Sequence, residues 1–242
     1  MTLIKRKLVQ LCGTRNYQKF IVLSRSRTGS NLLISLLNSH PNIQVSGEVF
    51  VRLDGQDYQT ILARQFARQP WNIAARGFKL FYYHPVDNPQ CGLWETLQQM
   101  PQLKVIHLTR KNTLQIMVSR KIAVLSNEWE ANHQMPAASN KTLTLTFTAE
   151  ELIKGFERTE RWQAAGDEWF ANHDVLQVDY DALVNEQQHT FTAMSEFLGV
   201  APTIPNTSLT KQNARPLSEV IENYAQLQQE FAATRWASFF TG

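Results

Sequence analysis

The stretch FIVLSRSRTGSN, residues 20–31, decides the fold. Phe20 to Leu23 is a short apolar run of the kind that forms a strand covered on both faces. From Asn31 to Asn38, Leu32, Leu33, Leu36 and Leu37 fall on one stripe at helical spacing. The polar residues between them therefore occupy a strand-to-helix turn, where N–H groups at a helix N-terminus converge on an anion. Gly29 permits close backbone approach, Thr28 and Ser30 offer hydroxyls, and Arg25 and Arg27 supply fixed charge with forked geometry. A Walker A loop would read Gly-x-x-x-x-Gly-Lys-Ser/Thr, and this turn lacks its first glycine and its lysine. The residues describe a site for a phosphate or sulfate ester and disfavour a mononucleotide kinase.

Outward from this turn, apolar runs suited to strands recur at Asn42 to Val45, Phe78 to Tyr83, Lys104 to Leu108 and Val175 to Val178. Helical periodicity covers Thr113 to Leu125, Glu150 to Phe170, Asp181 to Leu198 and Pro216 to Phe231, the last with its proline at the first helical position. The alternation predicts an α/β chain with a mostly parallel sheet flanked by helices. The run VIHLTRKNTLQIMVSRKIA, residues 105–123, repeats the opening design: a strand, then Arg110 and Lys111 at its end, then a helix whose first turn or two carries Ser119 on its exposed side. In a parallel sheet both strand ends lie on one carboxyl-terminal edge, so a ligand with two anionic ends could span them.

At 242 residues and 43% hydrophobic content the chain can build one large α/β domain, read here as residues 1–242 without an interdomain linker. The formal charge of +3 is spread out, which speaks against nucleic acid as a partner. Two distant cysteines, Cys12 and Cys91, imply neither a disulfide framework nor a zinc site and fit a reducing compartment. No stretch approaches the roughly 18 apolar residues that span a bilayer, and the basic opening makes a poor signal peptide. The expectation is a cytoplasmic protein, and a homodimer is compatible with the sequence.

In order along the chain, four segments resemble the sulfotransferases that use 3′-phosphoadenosine-5′-phosphosulfate (PAPS), especially their bacterial carbohydrate-type branch. RSRTGSNLLISLLNSHPNIQVSGE, residues 25–48, is similar to the 5′-phosphosulfate loop, its helix and the following strand with a Gly-Glu pair. LTRKNTLQIMVS, residues 108–119, is similar to the 3′-phosphate strand and helix. VDYDALVNEQQHTFTAMSEFLGV and LTKQNARPLSEVIENYAQL resemble the later Tyr-x-x-Leu and Phe-Leu-Gly segment and the C-terminal closure over the nucleotide. The resemblance implies a P-loop-like three-layer fold and a PAPS site without metal. Arg25, Ser26, Arg27, Thr28, Gly29, Ser30 and Asn31 would surround the 5′-phosphosulfate. Arg110 or Lys111, with Ser119, would hold the 3′-phosphate, and Lys211, Gln212 and Asn213 would add a third contact.

Sulfuryl transfer is an in-line displacement that needs positioning, charge stabilisation and a base within reach of the acceptor. Glu48 in VSGEVF is the first candidate base, where related bacterial enzymes carry a proposed catalytic glutamate. His84, at the end of GFKLFYYHP, is the second, and Lys79 is placed to touch the transferring group or the acceptor. The acceptor implied is a carbohydrate or glycolipid hydroxyl, with small hydroxylated metabolites and protein tyrosine behind. The aperiodic stretch from Ser126 to Thr148, with Trp129 and His133, is expected to help form the acceptor pocket. Two other readings stand beside this one: a P-loop-like kinase or NTPase, and a non-catalytic nucleotide-binding protein. His40 before Pro41 reads as a helix terminator, and Trp71, Trp94, Trp129, Trp162 and Trp169 read as core more readily than as sugar platforms.

Overall fold

The computed structural model describes residues 12–126, 143–207, 209 and 215–241. They fall into two compact units: the described parts of Met1–Arg25, Gly29–Thr109 and Ala165–Thr207, and those of Ser26–Thr28, Arg110–Ala164 and Ser208–Gly242. Among the described residues no helix is long and apolar enough to cross a membrane.

The first unit is built on five strands, β1 (Gln18–Ser24), β2 (Ile43–Glu48), β3 (Ala75–Phe81), β4 (Lys104–Thr109) and β5 (Asp174–Asp179). They pair in parallel in the order β2-β3-β1-β4-β5. β1 is central, and Phe20, Ile21, Val22 and Leu23 are fully buried, as the apolar run predicts. β3 starts at Ala75, three residues before the run read from the sequence, and pairs there with Gln18. Its polar residue Arg76 disguises the start, because its guanidinium is taken up by the Gln65 carbonyl and Ser46. The chain leaves β1 toward β2 and leaves β4 toward β5, so the connections diverge between the carboxyl ends of β1 and β4. Ligands bind at such a switch point in open α/β sheets.

One face of this sheet is covered by α1 (Ser30–Ser39) together with α6 (Tyr180–Asn185) and α7 (Gln187–Phe197). Leu33, Leu36 and Leu37 of the α1 stripe pack there against Phe20, Val22, Ile106 and Leu108. The periodic run from Asp181 to Leu198 predicts one helix, but the chain breaks at Glu186 (φ −123°, ψ 44°). The break lets Leu183 and Phe191 both bury in the core. His40 ends α1 as expected, its Nε2 bonded to the Ala201 carbonyl at 2.9 Å. Two short helices, α2 (Tyr58–Gln65) and α3 (Leu93–Gln98), have no clear period in the sequence. α2 is set by its cap, with the Asp57 carboxylate accepting from the N–H groups of Gln59 and Thr60.

The second unit contains α4 (Thr113–Ser126) and most of α5 (Ala149–Trp169), which continues into the first unit from Ala165. It also holds α8 (Leu217–Val220), α9 (Tyr224–Phe231) and a 3₁₀ turn at Ala237–Phe240. Its core is Leu114, Val118, Leu152 and Phe156 against Leu217, Leu227, Phe231 and Trp236. The single helix predicted from Pro216 to Phe231 is two, and Pro216 is the cap of the first rather than its first turn. Leu145 is the cause: its N–H donates to the Val220 carbonyl at 2.8 Å and its carbonyl accepts from Glu222 at 2.9 Å. That pairing holds Ile221 extended and ends the helical run.

Candidate active site

In the first unit, β1 ends in a buried polar cluster. Ser24 is fully buried, and its Oγ has no hydrogen-bond partner among the described residues. Arg25 is 1% exposed, an extreme for the residue type least suited to burial. The turn closes on Gly29, left-handed at φ 88°, and α1 begins with no side-chain cap on its N-terminus. A β-carbon at Gly29 would stand 2.3 Å from Cδ2 of Tyr180, so only glycine lets that ring pack against the turn. Ser30, the first residue of α1, is buried and Asn31 half-buried.

Asn31 links this turn to a second cluster in the same unit. Its Oδ1 accepts from Nζ of Lys79. The same Nζ lies 2.8 Å from Oε1 of Glu48, with the Lys79 side chain 5% and that of Glu48 32% exposed. Glu48 is the last residue of β2, opposite Lys79 in β3, and reaches it through an irregularity in register after Ser46. Nε2 of His84 stands 3.9 Å from the other Glu48 oxygen, too far for a hydrogen bond. The His84 Nδ1 accepts from the Phe81 N–H at 3.4 Å, and its carbonyl accepts from Trp94 at 2.8 Å. Burial lowers the His84 pKa to about 4, against the raising effect of Glu48 and aided by Lys79, so the ring is neutral at pH 7. With Nδ1 accepting, the proton of the neutral ring sits on Nε2.

The second unit gathers the other predicted residues. Arg27 takes a left-handed conformation at φ 69°, and its Nε donates to Oγ of Ser119 at 2.9 Å. Ser119 is thus half-buried and engaged rather than on an open side of its helix. Arg110 is 8% exposed and donates to Oε1 of Gln115 at 2.5 Å, whereas Lys111 is exposed. Asn112 sets the local geometry, its Oδ1 accepting from the Gln115 N–H at 3.2 Å as a helix cap. Thr28 is buried and Ser26 half-buried. Lys211, Gln212 and Asn213 lie outside the described residues, as does most of the Ser126 to Thr148 stretch, with Trp129 and His133. Trp94 and Trp169 are half-buried and pack together at 4.6 Å, while Trp71, read as core, is instead 78% exposed.

Sequence reasoning missed three residues that shape these clusters: Tyr180 against Gly29, Asn112 as cap and Gln115 as partner of Arg110. The asparagine before a helical period was a readable cap signal. The other two are contacts made only in the fold. Within the first unit, buried Arg25, the Ser30 hydroxyl, an uncapped helix start and an unpartnered Ser24 hydroxyl form a donor set of the kind that suits an anion.

The Sulfotransferase family profile matches residues 19–203. Nodulation protein H of Rhizobium meliloti (strain 1021) is 26% identical over 239 residues, covering 92% of this chain and 95% of that protein. Nodulation protein H of Rhizobium tropici is 26% identical over 241 residues, covering 92% and 93%. A solved sulfotransferase from Alicyclobacillus acidocaldarius superposes with a TM-score of 0.53 over 91% of each chain at 13% identity, a likeness of fold. Since the family match runs from β1 through all five strands to α6 and α7, the chain belongs to the sulfotransferase family and is a transferase enzyme.

Proposed function

We propose that the protein transfers the sulfuryl group of PAPS to a hydroxyl of a carbohydrate or glycolipid, with Glu48 as general base. The observation that carries this reading is the Lys79 ammonium, shared between Glu48 and Asn31 of the anion turn. It ties a carboxylate able to take a proton to the loop that suits a phosphosulfate. PAPS, when bound, supplies the activated sulfuryl group and a phosphoadenosine leaving group. Arg25, the uncapped start of α1, Ser30 and Asn31, with Ser26, Arg27 and Thr28, would hold its 5′ end. Arg110 and Ser119 would hold its 3′-phosphate, since Arg110 is buried and braced by Gln115 whereas Lys111 is exposed.

The two oxygens of Glu48 divide the labour. Oε1 is held by Lys79, and the half-exposed carboxylate keeps Oε2 for the acceptor proton. His84 is the weaker candidate base, because its Nε2 already carries the proton when the ring is neutral. It serves instead as a buried wall beside Glu48, whose orientation Lys79 fixes. Lys79 balances the carboxylate charge and offers a cation where negative charge grows on the transferring oxygens.

Calorimetric titration with 3′-phosphoadenosine-5′-phosphate (PAP), 5′-AMP and magnesium ATP tests the donor. PAP binds in preference to both without metal, and Arg27→Ala or Arg110→Ala weakens it about 10- to 100-fold, the loss of one charge-assisted contact. Preference for magnesium ATP would overturn the reading in favour of a kinase or NTPase.

A further inference from the structure

On the sheet face opposite α1, the first unit carries a buried polar chain that sulfuryl transfer as described does not use. Asp167, in the last turn of α5, lies 2.9 Å from Nδ1 of His107 in β4, and His107 Nε2 lies 2.7 Å from the Tyr82 hydroxyl just past β3. Gln177 of β5 donates to the same Asp167 oxygen at 2.8 Å. Tyr82 and His107 are 5% and 1% exposed, while the Asp167 side chain is 57% exposed. The chain therefore runs from solvent into the sheet. Gly166 makes room for it: a β-carbon there would stand 3.0 Å from both Leu23 Cδ2 and Tyr82 Cε1. Apolar residues would fill this face at lower cost than polar groups that need partners.

Hydrogen-bond chemistry assigns the proton positions along the chain. A carboxylate only accepts, so His107 Nδ1 carries the proton that meets Asp167. Burial lowers the His107 pKa against the opposing charge and hydrogen bond of Asp167, which leaves the ring neutral and Nε2 an acceptor. Tyr82 therefore donates its hydroxyl proton to Nε2. Its pKa is pushed well above the usual phenol value by burial and by Asp167, while Arg25 pulls it down. With that proton engaged, the Tyr82 oxygen presents only lone pairs to its remaining surroundings. Such an oxygen suits a group that only donates, and Arg25, within electrostatic reach, is one. The backbone fixes the neighbourhood: the Tyr82 N–H donates to the carbonyl of Ser24, the residue before Arg25, at 3.3 Å.

We propose that Asp167, His107 and Tyr82 form a positioning relay for Arg25, holding its guanidinium in the orientation that receives the 5′ end of the sulfuryl donor. The proposal rests on the reading of Arg25 as a donor ligand. Asp167 fixes the His107 tautomer, the tautomer fixes the Tyr82 hydroxyl, and the hydroxyl fixes which face of its oxygen Arg25 meets. None of the three touches the reacting atoms.

Titration of the full chain with PAP tests the relay. Tyr82→Phe and Asp167→Ala each weaken PAP binding about tenfold, as expected for loss of one hydrogen bond to a charged group. Acceptor KM at saturating donor stays within about twofold, because Glu48 and Lys79 lie on the other face. Made on top of Arg25→Ala and followed to millimolar PAP, Tyr82→Phe has no further effect, since the residue it acts through is gone. An equal loss in both backgrounds, or unchanged PAP affinity with a lowered unfolding temperature, would overturn the relay and leave a structural chain. Asp167→Ala alters only the exposed end and serves where Tyr82→Phe does not fold. Nitrogen NMR of its His107 ring should show the proton redistributed between Nδ1 and Nε2, and an unchanged Nδ1–H tautomer would count against the relay. If the unmodified protein does not bind PAP, the donor assignment falls and the relay falls with it. If it binds PAP and the variants bind equally well, the relay alone falls.

Discussion

His107 lies in β4 and His84 just past the end of β3, each 1% exposed, each beside a more exposed carboxylate and each held below the ordinary imidazole pKa by burial. His107 has both nitrogens engaged, by Asp167 at 2.9 Å and Tyr82 at 2.7 Å, and Gln177 takes the same Asp167 oxygen. His84 leaves its carboxylate alone: Nε2 is 3.9 Å from Glu48, whose other oxygen Lys79 holds at 2.8 Å. Similar ingredients thus give opposite outcomes. Where the carboxylate is absorbed into holding a ring, it becomes part of the scaffold. Where a lysine holds one oxygen and the histidine stands off, the second oxygen is the one the proposed base mechanism would use.

The largest expected effect follows from that difference. Glu48→Gln lowers turnover of labelled PAPS by about 10²- to 10⁴-fold, the contribution of a positioned base, with PAP affinity unchanged within about twofold. Asp167→Asn leaves turnover at saturating donor within about threefold, because its carboxylate meets no substrate. If the two substitutions cost the same in turnover, the division between a free and an absorbed carboxylate is wrong.

How much of this was legible beforehand depends on what carried each signal. All five strands and the strand-to-helix turn at Gly29 were readable, because an apolar run, a glycine and a leucine stripe are local patterns. The break at Glu186 and the extended Ile221 were not, since burial of Leu183 with Phe191 and the pairing of Leu145 across dozens of residues override an unbroken period. For the candidate site, the residue types were visible and their pairings were not. Lys79 and His84, five apart in sequence, still meet one carboxylate because the chain turns after Phe81. Ser119 was assigned to the 3′-phosphate by resemblance, and the geometry gives it Arg27 as neighbour. The Tyr82–His107–Asp167 chain left no trace in the sequence, because its members come from three separate elements.

Acid sharpens the comparison. The folded His84 pKa of about 4 lies below its unfolded value near 6.5, so between those values the unfolded chain binds more protons. Stability from this group is fully present above pH 6.5 and is lost as pH falls toward 4, on the order of 3 kcal/mol at 1.36 kcal/mol per pH unit. His107 acts in the same direction, with Asp167 opposing part of the burial effect. Thermal unfolding at pH 7 and pH 4.5 should therefore show a large acid loss in the unmodified protein and a clearly smaller one in His84→Gln. A smaller change in His107→Gln than in His84→Gln fits a ring whose protonation Asp167 favours. The reverse ranking would mean that the carboxylate beside His107 does not offset its burial.

The two glycines beside these clusters give the finest distinction. Gly29→Ala forces a side chain onto φ 88° and places Cβ 2.3 Å from the Tyr180 ring. Strain of that kind costs about 1–3 kcal/mol, and the displaced ring adds to it, so a loss of at least about 2 kcal/mol in denaturant unfolding is expected. Gly166→Ala meets Leu23 and Tyr82 at 3.0 Å, on side-chain atoms that can give by a few tenths of an ångström. The helix gains about 1 kcal/mol from alanine in place of glycine, so the net change in stability stays within about 1 kcal/mol of zero. Removing the ring with Tyr180→Ala should recover part of the Gly29→Ala loss, leaving the backbone strain as the remainder. No recovery would mean that the turn is held by its left-handed backbone alone, and that Tyr180 packs beside it without setting its shape.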